Sequence, residues 1–271
     1  MSLRPLTPAL AEKARVELNE KPSSLKADLQ LLKDWIAKQP HLRARTDDQW
    51  LVSFLRGCKF SLEKTKEKLD LYYTVRTTLP ELYNIKHSDP IFEELYRNHA
   101  GSVAQLLIVL MEDDQAVVAG TIIILDLHGV SLAHFFQMTP VTIKKLVVSD
   151  ASPIRMKGIH CLNTPPGFET IYNAMKSLLN EKNQNRLYVH NTNYDELYKY
   201  VTKDILPVEY GGNAGTTDSI IDHWKSKVTE YSSFLEEDQN YGTDESRRIK
   251  TKTVENSTLG IEGSFRQLEV D

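Results

Sequence analysis

The 271-residue chain is 41% hydrophobic and 26% charged, and its 33 basic and 37 acidic side chains leave a formal charge of −4. That balance suits one large or two small globular domains and lacks the basic excess that wholesale nucleic-acid binding needs. Two cysteines, Cys58 and Cys161, are too few for a disulfide framework or a cysteine-rich zinc site, and no apolar run approaches the ~20 residues of a membrane span. The expectation is a cytoplasmic protein.

The first ninety residues read as helix. Thr7-Pro8 places a capping hydroxyl before a proline at the first helical position. Leu25, Leu29, Leu32 and Ile36 recur at helical spacing until Pro40. Thr46 and Gln49 form a capping box ahead of Trp50, Leu51, Phe54 and Leu55, and Gly57 is expected as a left-handed stop. After Ser61, a further helix carries Leu62, Leu69, Tyr72 and Tyr73 inward. Residues 79–90 read as a connector.

The period then changes. Leu106 to Met111 is helical, and Glu112-Asp113-Asp114 marks a solvated turn. Val117 to Leu127 is Val/Ile-rich with no helical gaps, as in a strand buried on both faces of a parallel sheet. Gly158 to Leu162 and Leu187 to His190 are expected as two more strands. Helices are expected between and after them, opened by Thr139-Pro140, by Thr164-Pro165-Pro166 and by Asn193 with Glu196. This alternation predicts an α/β layer fold. From about Ser232 the chain is polar, and an extended or partly disordered tail is expected.

Gly129-Val130-Ser131-Leu132-Ala133 imitates a nucleophile elbow, with Asp150, His160 and His190 downstream. An α/β-hydrolase-like esterase using Ser131 is therefore one reading. Ala133 stands where the second glycine belongs, and everything before Val117 reads helical, so Ser131 reads better as a helix cap. The histidines form no metal-binding spacing, and no cofactor is expected. Two features exceed a plain core. Gly167 to Asn180 is an amphipathic helix behind a stiff Thr-Pro-Pro start. Arg155 with Lys157, and Lys182 with Arg186, form two pairs of cations.

Four ordered stretches carry a resemblance. Phe54-Leu55-Arg56-Gly57-Cys58-Lys59-Phe60 resembles an N-terminal signature of CRAL-TRIO (Sec14-like) lipid-transfer proteins. Ile124-Leu125-Asp126-Leu127 with Gly129 resembles their central strand. Ser152 to Pro165 is similar to a stretch of the α-tocopherol transfer and retinaldehyde-binding branch, and Leu206 to Gly212 to its closing motif.

The resemblance implies a helical domain (1–78), a connector (79–90), a lipid-binding βαβ domain with a mainly parallel sheet (91–231) and a polar tail (232–271). It implies binding and transfer of a small hydrophobic ligand by a monomer that meets membranes transiently and peripherally, without catalysis. The cavity would be lined by Leu125, Phe135, Ile143, Leu146, Ile154 and Ile159. The helix from Gly167 would be its lid, with Phe168, Ile171, Met175, Leu178 and Leu179 inward. The resemblance also implies a basic cleft for phosphoinositide head groups at Arg56, Arg155, Lys157, Lys182 and Arg186. An adaptor that senses phosphoinositides without transferring lipid is a third reading. One segment departs from the family: Phe92 to Gly101 runs almost directly into the next helix, where relatives carry a first sheet strand.

Overall fold

A computed structural model describes residues 3–78, 80, 108–131, 151–177 and 181–249. The N-terminal unit is built from α1 (Pro8–Leu18), α2 (Pro22–Ala37), α3 (Asp48–Gly57) and α4 (Leu62–Thr78). Thr7 caps α1 by accepting from Leu10 N, and Asn19 closes it at φ 64°. Asp47, rather than Thr46, caps α3 by accepting from Trp50 N. Gln49 is drawn away from a capping box: it accepts from Arg4 N and donates to Asp114. Leu29, Leu32, Trp50, Phe54, Leu69 and Tyr73 make the core of this unit. The Tyr73 hydroxyl accepts from Trp50 Nε1 and Arg45 N, both at 3.0 Å, so the buried phenol is satisfied.

Gly57 is the last residue of α3, not a left-handed stop; the positive φ values fall at Lys59 and Phe60. Its lack of a side chain serves a close approach instead. A Cβ there would stand 2.2 Å from the Pro153 carbonyl oxygen. Gly57 thereby lets the loop before the sheet rest on the helical unit.

Residues 108–111 are helical. The strand expected from Val117 starts later. Asp113 caps a short helix, α5 (Asp114–Ala119), and Gly120 breaks it at φ 84°. Val117 and Val118 are therefore helical core residues, and β2 covers Thr121–Asp126. With β3 (Met156–Leu162) and β4 (Leu187–Asn191) it forms a parallel sheet in the order β2-β3-β4. The connection from β3 to β4 carries α6 (Phe168–Ser177) and α7 (Glu181–Gln184). The helix expected from Gly167 thus begins at Phe168, after Gly167 at φ 80°.

The expected helix after Asn193 is only one turn, α8 (Tyr194–Leu197). The chain after it packs Leu197, Val201 and Leu206 against Leu162. Pro207 to Gly212 is a tight turn closed at Gly211, φ 72°.

Residues 232–249 depart from the expected extended or partly disordered tail; residues 250–271 lie outside the described residues. Following α9 (Thr217–Glu230), the chain forms α10 (Ser232–Asp238) and a strand, β5 (Gly242–Thr243). That strand pairs antiparallel with β1 (Leu42–Arg43). Phe234, Leu235 and Tyr241 pack on the helical core, and Arg248 pairs with Asp70 at 2.6 Å. A few well-placed anchors replace a continuous apolar stripe. Among the described residues no helix is long and apolar enough to cross a membrane.

Candidate functional site

The parallel register places two apolar rows on one sheet face. Ile123, Ile159 and Leu187 stand abreast, as do Leu125, Cys161 and Val189. Side chains two apart on a strand share a face, so the six residues form one surface. Only Cys161 among them is buried; Leu125 is 42% exposed. The predicted cavity residues Leu125 and Ile159 both fall on this face. Ile154 does not: it is buried in the core of the helical unit, because the loop carrying it rests on α3 at Gly57. Phe135, Ile143 and Leu146 lie outside the described residues, as do Leu178 and Leu179.

On α6, Phe168 is buried, Ile171 is half-buried, and the Tyr172 hydroxyl donates to the Leu187 carbonyl at 3.0 Å. This bond ties α6 to the start of β4. The backbone of Met175 belongs to α6, but its side chain lies outside the described set.

The opposite face holds an aromatic stack. His160 Nδ1 lies 2.8 Å from His190 Nε2, with the rings nearly parallel, and Tyr188 stacks on His160 at 4.7 Å. Burial, and then the neighbouring His190 ring, hold the His160 imidazole down to about 4. Each imidazole therefore uses a nitrogen on the other. Ser131 is exposed, and Asp150, its other expected partner, lies outside the described residues.

The basic residues separate into two groups. Arg155, Lys157 and Arg186 gather where β3 and β4 begin. Arg186 donates to the Met156 carbonyl at 2.6 Å, and Arg155 donates to the Val118 carbonyl. Burial and the nearby Arg186 charge lower the Arg155 pKa, while Glu17 opposes them. Gly120 makes room here: a Cβ would lie 2.6 Å from the Arg155 carbonyl oxygen and 3.0 Å from the Lys157 side chain. Lys182 is in α7, its side chain outside the described set.

Arg56 departs from the expected cleft. Its side chain is 3% exposed and is held by Glu20 at 2.9 Å and Asp114 at 2.7 Å. A guanidinium shared between two carboxylates is a structural tie between α3, α5 and the end of α1, not an open cation. Sequence reasoning also missed Glu17, whose carboxylate lies 3.5 Å from Lys157 Nζ and 3.7 Å from Arg155. The groove of about 400 Å³ lined by Arg43, Thr77, Asp244 and Arg247 lies on the helical unit, away from the sheet.

The sequence profile of the CRAL/TRIO domain matches residues 61–212, more than half of the chain. The chain belongs to the CRAL-TRIO family. Members of this family are lipid-binding and lipid-transfer proteins. A second profile, the Pinta-like UBA domain, matches residues 21–91, over the helical unit. Human alpha-tocopherol transfer protein-like is 31% identical over 249 positions, covering 79% of this chain and 73% of that protein. Because 79% of 271 residues is fewer than 249, part of that alignment faces gaps in this chain. Clavesin-1 of Xenopus laevis is 28% identical, covering 76% and 74%. Among solved structures, Sfh5 superposes at a TM-score of 0.41 with 14% identity over 78% of this chain and 90% of its own, a loose match.

Proposed function

We propose that this CRAL-TRIO protein binds a small hydrophobic lipid against the apolar sheet face, beneath α6 as a lid, and exchanges it at membranes bearing phosphoinositides. The observation that carries the reading is the pair of rows Ile123/Ile159/Leu187 and Leu125/Cys161/Val189, apolar yet for the most part only half-buried. Leaving that surface in water costs roughly 25 cal/mol per Å², so an apolar ligand lowers the free energy by covering it. Within the tocopherol- and retinoid-like ligands that this reading allows, the relative named for α-tocopherol transfer favours a tocopherol-like one.

Arg155, Lys157 and Arg186, with Lys182 nearby in sequence, supply the membrane-facing charge. Several cations converging on one anion suit a phosphorylated inositol head group. Attraction to anionic lipid would bring the lid to the bilayer, where opening need not expose the apolar face to water. In this reading the protein is a non-catalytic cytoplasmic monomer, peripheral to membranes only during exchange.

Co-sedimentation with phosphatidylcholine vesicles containing phosphatidylinositol 4,5-bisphosphate tests the membrane half. Arg155→Ala with Lys157→Ala is expected to weaken binding while the circular-dichroism spectrum stays unchanged. Equal binding by the double variant would remove these residues from the cleft. Binding to such vesicles without extraction of any lipid would favour the adaptor reading.

A further inference from the structure

The end of α1 brings two carboxylates to the predicted cations, and they differ in kind. Glu20 grips buried Arg56 through two bonds of 2.9 and 3.1 Å. Glu17, three residues earlier, reaches Lys157 and Arg155 only at 3.5 and 3.7 Å, while Lys13 on its own helix holds it at 2.6 Å. Packing of Ala14 and Leu18 on Val118 fixes this geometry, because the Val118 carbonyl accepts from Arg155.

We infer that Glu17 is a resident competitor in the basic cluster and sets the charge an anion must carry to bind there. The inference rests on the phosphoinositide reading of Arg155 and Lys157. At 3.5–3.7 Å the carboxylate offsets part of their charge without locking either side chain. On displacement it keeps Lys13 as partner, so leaving costs little. Glu20 stays bonded to Arg56, so α1 need not detach. A singly phosphorylated head group adds little to what Glu17 already supplies. A bisphosphorylated one outbids it with more charge and more acceptor oxygens. Glu17 thus sets the affinity threshold of the cluster rather than binding the ligand: the bisphosphate clears it and the monophosphate falls short.

The test compares wild type, Glu17→Gln, Glu12→Gln and the Arg155→Ala/Lys157→Ala double variant. Glu12 lies on the same helix and pairs with Arg15, so its substitution matches the change in net charge. Vesicles carry phosphatidylinositol 4-phosphate or 4,5-bisphosphate in phosphatidylcholine. Glu17→Gln is expected to gain about threefold to fivefold for the monophosphate lipid, the scale of one partly exposed ion pair, and at least as much for the bisphosphate, whose larger charge the carboxylate opposes no less. Glu12→Gln is expected to match wild type. Soluble inositol 1,4,5-trisphosphate should bind Glu17→Gln more tightly than wild type too, since the contest is for the head group. A gain on vesicles alone, or equal gains in both glutamine variants, overturns the proposal while leaving the cluster's assignment intact. Equal binding by wild type and the double variant overturns the parent reading and this one with it.

Discussion

Arg56 and Glu20 form a buried bidentate pair that joins α3 to the residues just after α1, with Nε and a carboxylate oxygen 2.9 Å apart. Asp114 completes the tie at 2.7 Å. Removing one partner of such a pair strands the other in a dry site, at about 3–5 kcal/mol. Glu20→Ala is expected to lower the unfolding free energy by about 3 kcal/mol in urea titration, Asp114 retaining part of the interaction. A loss below about 1 kcal/mol would mean that water reaches Arg56.

Asp238 joins the C-terminal segment to the helical unit. It is fully buried, 3.7 Å from Arg45 and in contact with Arg76. The Arg45 guanidinium also lies over the Phe234 ring at 4.0 Å. Asp238→Ala removes the carboxylate in contact with buried Arg76, while Arg45 keeps Glu237 at 3.3 Å, and is expected to cost about 3 kcal/mol. Limited proteolysis should then cut within 232–249 earlier than in wild type.

These two ties mark how far the sequence could be read. Local signals were legible: Thr7-Pro8 starts α1, and Leu29, Leu32 and Ile36 line α2. The sheet's three strands followed from apolar runs bounded by turn residues, the first with its start placed four residues early. Val117-Val118 misled because two valines suit a strand or a buried helix face equally, and Asp113 with Gly120 decided for helix. The C-terminal segment was illegible because its few anchors find partners far away in sequence. The same holds for the cations. Arg56 stands in a recognisable motif, but its partners Glu20 and Asp114 lie 36 and 58 positions away. Spacing alone could not show that it is tied down while Arg155 and Lys157 meet the looser Glu17.

Gly57 tests the contact between the helical unit and the loop leading to β3. A Cβ placed 2.2 Å from the Pro153 carbonyl oxygen meets backbone, which cannot rotate away. Gly57→Ala is expected to destabilise the protein by about 1–3 kcal/mol, as overpacking does, although alanine is the better helix former. Unchanged or raised stability in thermal melts would contradict this contact.

The His160–His190 pair predicts a pH dependence. The His160 imidazole is held at about 4, below its ordinary 6.5, and burial lowers His190 as well. Protons therefore favour the unfolded chain first. The stability contributed by the neutral rings is complete above about pH 6.5 and is lost as pH falls toward about 4. Between pH 7 and pH 5 the loss from His160 is expected to be about 2 kcal/mol. His160→Gln should flatten this slope in calorimetry, whatever it does to stability at pH 7. An equal slope in both proteins would show that the rings titrate freely.

The central claim, that the apolar sheet face is a lipid site, is tested most directly by mass spectrometry of bound lipid. Wild type and Met175→Asp would be incubated with a mixed cellular lipid extract, repurified by gel filtration and extracted into organic solvent. The account predicts one class of small hydrophobic lipid enriched toward one molecule per wild-type chain, and depleted in the variant with a charge in the lid. Wild type emerging with no lipid above the level of the variant would contradict it.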